Sequence, residues 1–217
     1  MGKKKAEAVD VLDEPTPAPH PPIPDGATFF FDDQDKPFAG DTFMERDFLA
    51  MKEKHGIKTI VETGTCYGST ALWFADHFDK VITCESHPPT YEVAKERLKD
   101  RPNVDLRYGL SQHEVAKMIA SIEGPAMFFL DAHFERHCPL LEELKAIAQS
   151  GLTPVLAIHD FQVPARPDLG FDKWNGQAFT FSWIKPALEA IYGNRYGFHY
   201  NNEATGQKRG CIYVFPV

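Results

Sequence analysis

The sequence predicts one α/β domain built on a doubly wound sheet of seven strands, mostly parallel with an antiparallel last strand. Short β-branched segments alternate with amphipathic segments from Thr42 onward, and five such strand–helix units follow one another. The last two strand segments have no helix between them, which indicates an antiparallel ending. Alternating strands and helices are typical of a parallel sheet that helices cover on both faces.

Each element has its own justification. "TFMERDFLAMKEKHG" (42–56) begins with a T-x-x-E capping box and ends on glycine, so it predicts the first helix. A second capping box, Ser111 to Glu114, begins the helix over 111–122. Hydrophobic periodicity assigns the other elements: strands over 58–63, 80–85, 103–109, 126–131, 153–160, 195–201 and 208–217, and helices over 69–78, 90–100, 138–151 and 178–193.

The first 27 residues have a different composition from the rest. They contain "EPTPAPHPPIPDG", and proline removes the backbone donors that helices and sheets need. Residues 1–27 are therefore predicted to be a disordered proline-rich arm, which could recruit a protein partner, and residues 28–217 to be a single domain.

Composition narrows the classes of partner and compartment. The formal net charge is −8, so a broad nucleic-acid interface, which needs a basic face, is not expected. The four cysteines are scattered without a C-x-x-C pair, which argues against thiolate zinc sites and disulfide frameworks. We expect neither a secretion signal nor a membrane span, and a cytoplasmic location.

The first predicted strand runs into a glycine-spaced turn. Ligands of doubly wound sheets bind beyond the carboxyl ends of the strands, where Glu62 lies here. Gly64 and Gly68 are four residues apart, so the G-x-G-x-x-G fingerprint of NAD-binding proteins is absent. Glu62 and a tight turn suit a ligand with an ammonium and a carboxylate group, such as the methionine end of S-adenosylmethionine. This motif alone is about equally compatible with a purely structural turn.

The next two strand ends offer polar groups for a nucleoside. Glu85 lies about twenty residues after the first glycine, and an acid there can accept two hydrogen bonds from ribose hydroxyls. Ser111 and Gln112 follow the third strand. Ser111 is interpreted first as a helix cap, and a contact of either residue with adenine is a further hypothesis.

Acids and histidines follow the fourth and fifth strands. Asp131 and Asp160 are expected to meet across neighbouring strand ends, with His133 and His159 close by. Carboxylate oxygens and an imidazole could hold a divalent cation, and they could equally form a metal-free polar cluster.

Taken in order, "ETGTCYGST", "VITCESHP", "GLSQ", "FFLDAHF" and "VLAIHD" resemble class I S-adenosylmethionine-dependent methyltransferases of the catechol O-methyltransferase type, and also macrocin-type sugar O-methyltransferases. The similarity covers about residues 57–161 and implies a Rossmann-like fold. It implies that the strand ends bind S-adenosylmethionine through Glu62, Gly64, Thr65, Gly68, Ser69, Glu85, Ser111, Gln112 and Asp131. It also matches Asp131, His159 and Asp160 to positions that bind a divalent cation, Mg²⁺ or Mn²⁺.

Two departures from that family concern the chemistry. The family has an aspartate where His159 stands, and it has a catalytic lysine shortly after the position of Asp131. His133 could replace that lysine, so Asp131 and His133 are the predicted catalytic residues.

The predicted activity is methyl transfer from S-adenosylmethionine to a hydroxyl of a small molecule, such as a sugar, a polyol or a catechol-like compound. The alternatives are a metal-dependent hydrolase that uses the Asp/His cluster, and a non-catalytic cofactor-binding module. The segment 162–177 fits a loop that covers the acceptor, with Phe171 and Trp174 available to stack on a ring.

Overall fold

The computed structural model describes residues 36–133 and 138–217, which belong to one compact unit. Its strands are β1 (Thr59–Thr63), β2 (Lys80–Glu85), β3 (Val104–Tyr108), β4 (Ala126–Leu130), β5 (Val155–His159), β6 (Lys173–Trp174), β7 (Gln177–Ala178), β8 (Tyr196–Tyr200) and β9 (Cys211–Pro216). Seven of them form one sheet in the order β3-β2-β1-β4-β5-β9-β8. Strands β1 to β5 pair in parallel, and β9 is antiparallel to both β5 and β8. The predicted sheet is confirmed.

In the described part of the chain, six α-helices cover the two faces of this sheet. They are α1 (Thr42–His55), α2 (Ser69–His77), α3 (Pro88–Leu98), α4 (Ser111–Ile119), α5 (Leu140–Ser150) and α6 (Phe181–Tyr192). Successive side chains of a strand point to opposite faces, and β4 illustrates this alternation. Phe129 packs with Phe48 of α1 and Phe74 of α2, whereas Phe128 belongs to the core beneath α4, α5 and α6.

Both predicted capping boxes are wrong by one residue. Asp41, not Thr42, caps α1, and its Oδ1 atom accepts from the backbone nitrogens of Phe43 and Met44 at 3.0 and 3.4 Å. The same oxygen accepts from the distant Thr205 nitrogen at 3.2 Å, so a tertiary contact helps to select the cap. At α4 the residue before the helix is Leu110, and no side chain caps this end. Ser111 is already helical.

Two features of the fold were not predicted. Strands β6 and β7 pair as a small separate hairpin, which lies in the predicted loop 162–177 and includes Ala178 from the helix predicted over 178–193, so α6 begins only at Phe181. A short turn, Pro37–Gly40, precedes α1, with Phe38 and Ala39 in the left-handed region. The predicted arm, residues 1–27, and the predicted domain start at residue 28 lie outside the described residues. Among the helices that the structure describes, none is both long and apolar enough to cross a membrane.

Candidate active site

A cavity of about 170 Å³ lies at the carboxyl ends of β1, β4 and β5. Three strand ends that are far apart in the sequence therefore form one site, as the parallel order of the sheet predicts. Seven of the predicted site residues line it: Glu62, Gly64, Thr65, Ser69, Asp131, His159 and Asp160. Phe38, Ala39 and Gln207 also line it, and nothing local in the sequence marks these three.

The glycine turn after β1 has a steric reason. Gly64 has a φ of +85°, and a Cβ atom there would lie 2.5 Å from the backbone oxygen of Asp131. Only glycine lets the turn approach the end of β4 so closely. The backbone nitrogens of Gly64 and Thr65 donate to the Cys84 oxygen at 3.0 and 3.1 Å, which ties the turn to β2. Gly68, also left-handed, precedes α2. The four-residue glycine spacing thus follows from the route of the chain around the cavity.

Glu62 is a buried acid at the edge of this cavity, only 1% exposed. The Thr83 hydroxyl donates to its Oε2 atom at 2.5 Å, and the Thr65 and Thr83 hydroxyls lie 2.5 Å apart. Burial raises the pKa of Glu62 to about 8, the hydrogen bond from Thr83 opposes the rise, and the charge of Asp131 adds to it. In the part of the chain that the structure describes, Glu62 accepts from the Thr83 hydroxyl but forms no ion pair. Such a carboxyl group would be stabilised in its charged form by a cationic ligand.

The predicted nucleoside contacts lie beside this cavity rather than in its walls. Glu85 accepts from the backbone nitrogens of Cys66 and His87, both at 2.7 Å. A carboxylate with two such bonds still has acceptor capacity for ribose hydroxyls. Ser111 and Gln112 begin α4, and the Ser111 hydroxyl is buried beside the carboxyl group of Glu143. Their contact with adenine stays a prediction.

The predicted acids and histidines meet in one hydrogen-bonded cluster. His133 Nε2 lies 2.8 Å from Asp160 Oδ2 and 3.1 Å from an oxygen of Asp172, and His159 Nδ1 lies 3.0 Å from Asp131 Oδ1. Arg209 closes the cluster: its Nε atom donates to Asp160 Oδ1 and its Nη2 atom to Asp172 Oδ1. The sequence interpretation missed Asp172 and Arg209, because neither follows a parallel strand.

Opposite charges keep the cluster ionised despite its burial. Burial alone would lower the pKa of His133, but hydrogen bonds to Asp160 and Asp172 outweigh it and raise the pKa to about 10. Burial would likewise lower the pKa of His159, and the charges of Asp131 and Asp160 raise it to about 9. Burial would raise the pKa of Asp160, but His159, His133 and Arg209 hold it well below its usual range. Three carboxylates therefore face a guanidinium and two protonated imidazoles.

The donor set of this cluster does not fit a divalent cation in its present arrangement. Asp131, His133 and Asp160 each bring one atom within 4.8 Å of the others, which is close enough to surround an ion. A histidine binds a metal through an unprotonated nitrogen, whereas His133 Nε2 lies between two carboxylates, which only accept. His159 Nδ1, from the predicted ligand set, likewise faces a carboxylate oxygen of Asp131. Both imidazole nitrogens are therefore hydrogen-bond donors here.

A second cavity, of about 720 Å³, is lined by other members of the cluster. His133, Asp172 and Arg209 line it on one side, and the segment around β6 supplies Phe171 and Trp174, which the sequence predicted as ring-stacking residues. Phe179 adds a third aromatic side chain. Since Asp131 and Asp160 line the first cavity, the cluster contributes side chains to both cavities.

Solved structures with this architecture are known. A Staphylococcus aureus protein assigned as a caffeoyl-CoA O-methyltransferase is 15% identical, with a TM-score of 0.57 over 82% of this chain and 84% of that one. A Bacillus cereus O-methyltransferase in complex with SAH is 15% identical, with a TM-score of 0.57 over 81% of each chain. A Clostridium thermocellum protein assigned as an rRNA methylase is 13% identical, with a TM-score of 0.52 over 80% and 97%. The chain has the Rossmann-like methyltransferase fold.

No family model and no curated protein matches the chain. At identities this low the likeness concerns the methyltransferase fold alone, and the named acceptors of these structures differ in chemical class.

Proposed function

We propose that the protein is an S-adenosylmethionine-dependent methyltransferase that methylates a hydroxyl of a small molecule, such as a sugar, a polyol or a catechol-like compound. The observation that carries this proposal is the buried Glu62 beside the glycine turn, in the cavity at the end of β1. Its carboxylate suits the ammonium of the methionine portion, and Gly64, Thr65, Gly68 and Ser69 surround the same portion. Glu85 would accept from the ribose hydroxyls, with Ser111, Gln112 and Asp131 near the adenosine.

The proposed reaction is an in-line displacement at the sulfonium methyl group. The sulfur–carbon bond breaks while a carbon–oxygen bond forms, and the acceptor hydroxyl loses its proton. Asp131 is the proposed proton acceptor, because it lines the first cavity and His159 contacts only its Oδ1 atom among the described residues. His133 stays a predicted catalytic residue. Its position between Asp160 and Asp172 supports a role in holding these carboxylates at the boundary of the two cavities.

The acceptor is proposed to enter through the second cavity. Phe171, Trp174 and Phe179 offer flat apolar surfaces for a ring, and the charged cluster offers hydrogen-bond partners for hydroxyls. RNA is the competing acceptor, since one similar structure is assigned as an rRNA methylase. The net charge of −8 disfavours it. A cytoplasmic location and recruitment of a partner by the proline-rich arm stay predictions.

Calorimetry with S-adenosylmethionine, followed by transfer of labelled methyl to a panel of sugars, polyols and catechols, tests the proposal. We expect binding with a Kd of about micromolar magnitude and label in at least one acceptor class. Binding without transfer to any acceptor would favour the cofactor-binding module. Hydrolytic activity without cofactor binding would favour the hydrolase, and label in RNA alone would replace the acceptor class.

A further inference from the structure

We propose that the guanidinium of Arg209 takes the place of a divalent cation in the cluster of Asp131, Asp160 and Asp172, so that the protein neutralises this cluster itself and binds no metal there. The resemblance in sequence implies a metal at this position, and the donor set found here does not fit one. The inference concerns the protein's own charges, so it stands or falls independently of the proposed methyl transfer.

The backbone on both sides of Arg209 is fixed, which holds its side chain in the cluster. The Gly170 nitrogen donates to the Lys208 oxygen at 2.8 Å, and the Gly210 nitrogen donates to the Gly170 oxygen at 2.9 Å. Gly210 also packs against Phe161, since a Cβ atom there would lie 2.0 Å from the Phe161 oxygen. Arg209 is thus placed by two segments of the chain that bracket the cluster, and its side chain is only 26% exposed.

The fork of Arg209 engages two carboxylates at once. Its Nε atom donates to one oxygen of Asp160, and its Nη2 atom donates to one oxygen of Asp172. The other oxygen of each carboxylate faces His133 Nε2. Both oxygens of Asp160 therefore already have a donor, and a metal ion would have to displace one of them. Arginine is suited to this geometry, because its planar guanidinium can donate paired hydrogen bonds to carboxylates.

Charge repulsion also opposes the binding of a metal ion to this cluster. A dication bound to Asp160 would lie within a few ångströms of the guanidinium, since both would contact the same carboxylate. In a partly buried site such repulsion is screened much less than at the surface. A cation that the chain carries itself also needs no supply from solution, so the cluster has the same charge at any metal concentration.

A purely structural role for Arg209 would have different consequences. If Arg209 only tied the segment around Asp172 to the cluster, removing its charge would loosen that segment without creating affinity for metal. If it replaces a cation, removing its charge leaves three carboxylates with only the two imidazoles to balance them, so the cluster carries a net negative charge that a dication can neutralise. The gain of a metal site is therefore the decisive measurement.

The test is a Mn²⁺ titration of the full-length protein, followed by electron paramagnetic resonance of free Mn²⁺. We expect wild type and Arg166→Gln, which alters an arginine that is paired with Asp168 outside the cluster, to bind no Mn²⁺ below about 1 mM. We expect Arg209→Gln to bind it at least about a hundredfold more tightly. Adding Asp160→Asn to Arg209→Gln is expected to remove the new site. Arg209→Lys, which keeps the charge, is expected to stay free of metal.

A wild-type protein that binds one Mn²⁺ at micromolar concentration would overturn the inference, even if the Arg209→Gln protein fails to fold. A folded Arg209→Gln protein without affinity for Mn²⁺ would overturn it too, because Arg209 would then not be what replaces the cation. Calorimetry with S-adenosylmethionine on the same samples separates this result from the proposed function. If wild type binds both S-adenosylmethionine and Mn²⁺, the proposed function stands and this inference fails. If wild type binds neither of them, the proposed function fails and this inference stands.

Discussion

The two halves of the candidate site treat buried charge in opposite ways. At the end of β1, Glu62 is almost fully buried, accepts from the Thr83 hydroxyl and has no ion pair in the described chain, and its pKa is raised to about 8. At the ends of β4 and β5, Asp160 is also buried, though less completely, but it contacts Arg209 and His133, and its pKa is lowered. The same kind of group is stabilised in its neutral form in one place and in its charged form in the other.

This difference indicates what each half can accept. A carboxyl group without a cation gains a counter-charge from a cationic ligand, so the β1 side suits an ammonium group. The cluster at the ends of β4 and β5 already contains cationic side chains, so a further cation would not stabilise it. This side therefore suits a neutral acceptor that forms hydrogen bonds. This difference supports the proposal that the cofactor binds at the first half and the acceptor hydroxyl at the second.

The largest effect is expected from a substitution at the ends of β4 and β5, where the carboxylates have cationic partners. Asp160→Ala leaves Arg209 and His133 without one of their two carboxylates. Breaking a buried ion pair in this way is expected to lower the free energy of unfolding by about 3–5 kcal/mol and to abolish turnover. S-adenosylmethionine binding is expected to stay within about tenfold.

Urea denaturation measures the stability. The matched control, Asp168→Ala, removes an exposed partner of Arg166 and is expected to lose less than about 1 kcal/mol. If Asp160→Ala and Asp168→Ala lowered the free energy of unfolding equally, the proposed difference between the two halves would be contradicted.

The second effect concerns the uncompensated half. Glu62→Gln keeps the shape of the side chain and removes the charge that is proposed to meet the ligand's ammonium. We expect the free energy of S-adenosylmethionine binding to weaken by about 2–4 kcal/mol, while the apo protein folds at least as stably, because a buried acid without a cation has been replaced. Calorimetry and thermal unfolding of the two proteins check this. A loss of stability together with unchanged affinity would reverse the assignment of Glu62.

The same contrast explains how much could be predicted from the sequence. Glu62, Gly64 and Gly68 lie within one strand–turn–helix, so local patterns predicted both the sheet and this half of the site. Asp131, His133, His159 and Asp160 follow parallel strands, and the order of the sheet predicted their meeting. Asp172 and Arg209 come from the hairpin segment and from the residues before β9, 37 residues apart. Their pairing depends on tertiary hydrogen bonds around Gly170, which have no local pattern in the sequence.

A smaller loss of affinity is expected at the ribose side. Glu85 already accepts from two backbone nitrogens, so part of its role is to hold the turn at Cys66. Glu85→Ala is expected to weaken S-adenosylmethionine binding by about 1–3 kcal/mol, the range for leaving polar groups unpaired. Glu92→Ala, on the exposed side of α3, is the control. Methionine alone should bind wild type and Glu85→Ala equally. If both ligands bind Glu85→Ala as they bind wild type, Glu85 lies outside the cofactor site.

The smallest effect is the response of cofactor affinity to pH. It tests the proposed difference between the two halves without disrupting the contacts of either one. Burial raises the pKa of Glu62 to about 8, so the apo carboxyl group is largely protonated below that pH. A bound ammonium favours the charged form, and binding then expels a proton. Affinity should therefore rise with pH, by at most about tenfold per unit, until the pKa of apo Glu62 is passed. The ligand titrates as well, so wild type must be compared with Glu62→Gln at each pH between 6 and 9. We expect the ratio of their affinities to increase with pH and to level off near 8. A constant ratio would mean that Glu62 is already charged in the apo protein, and the two halves would then not differ in the way proposed.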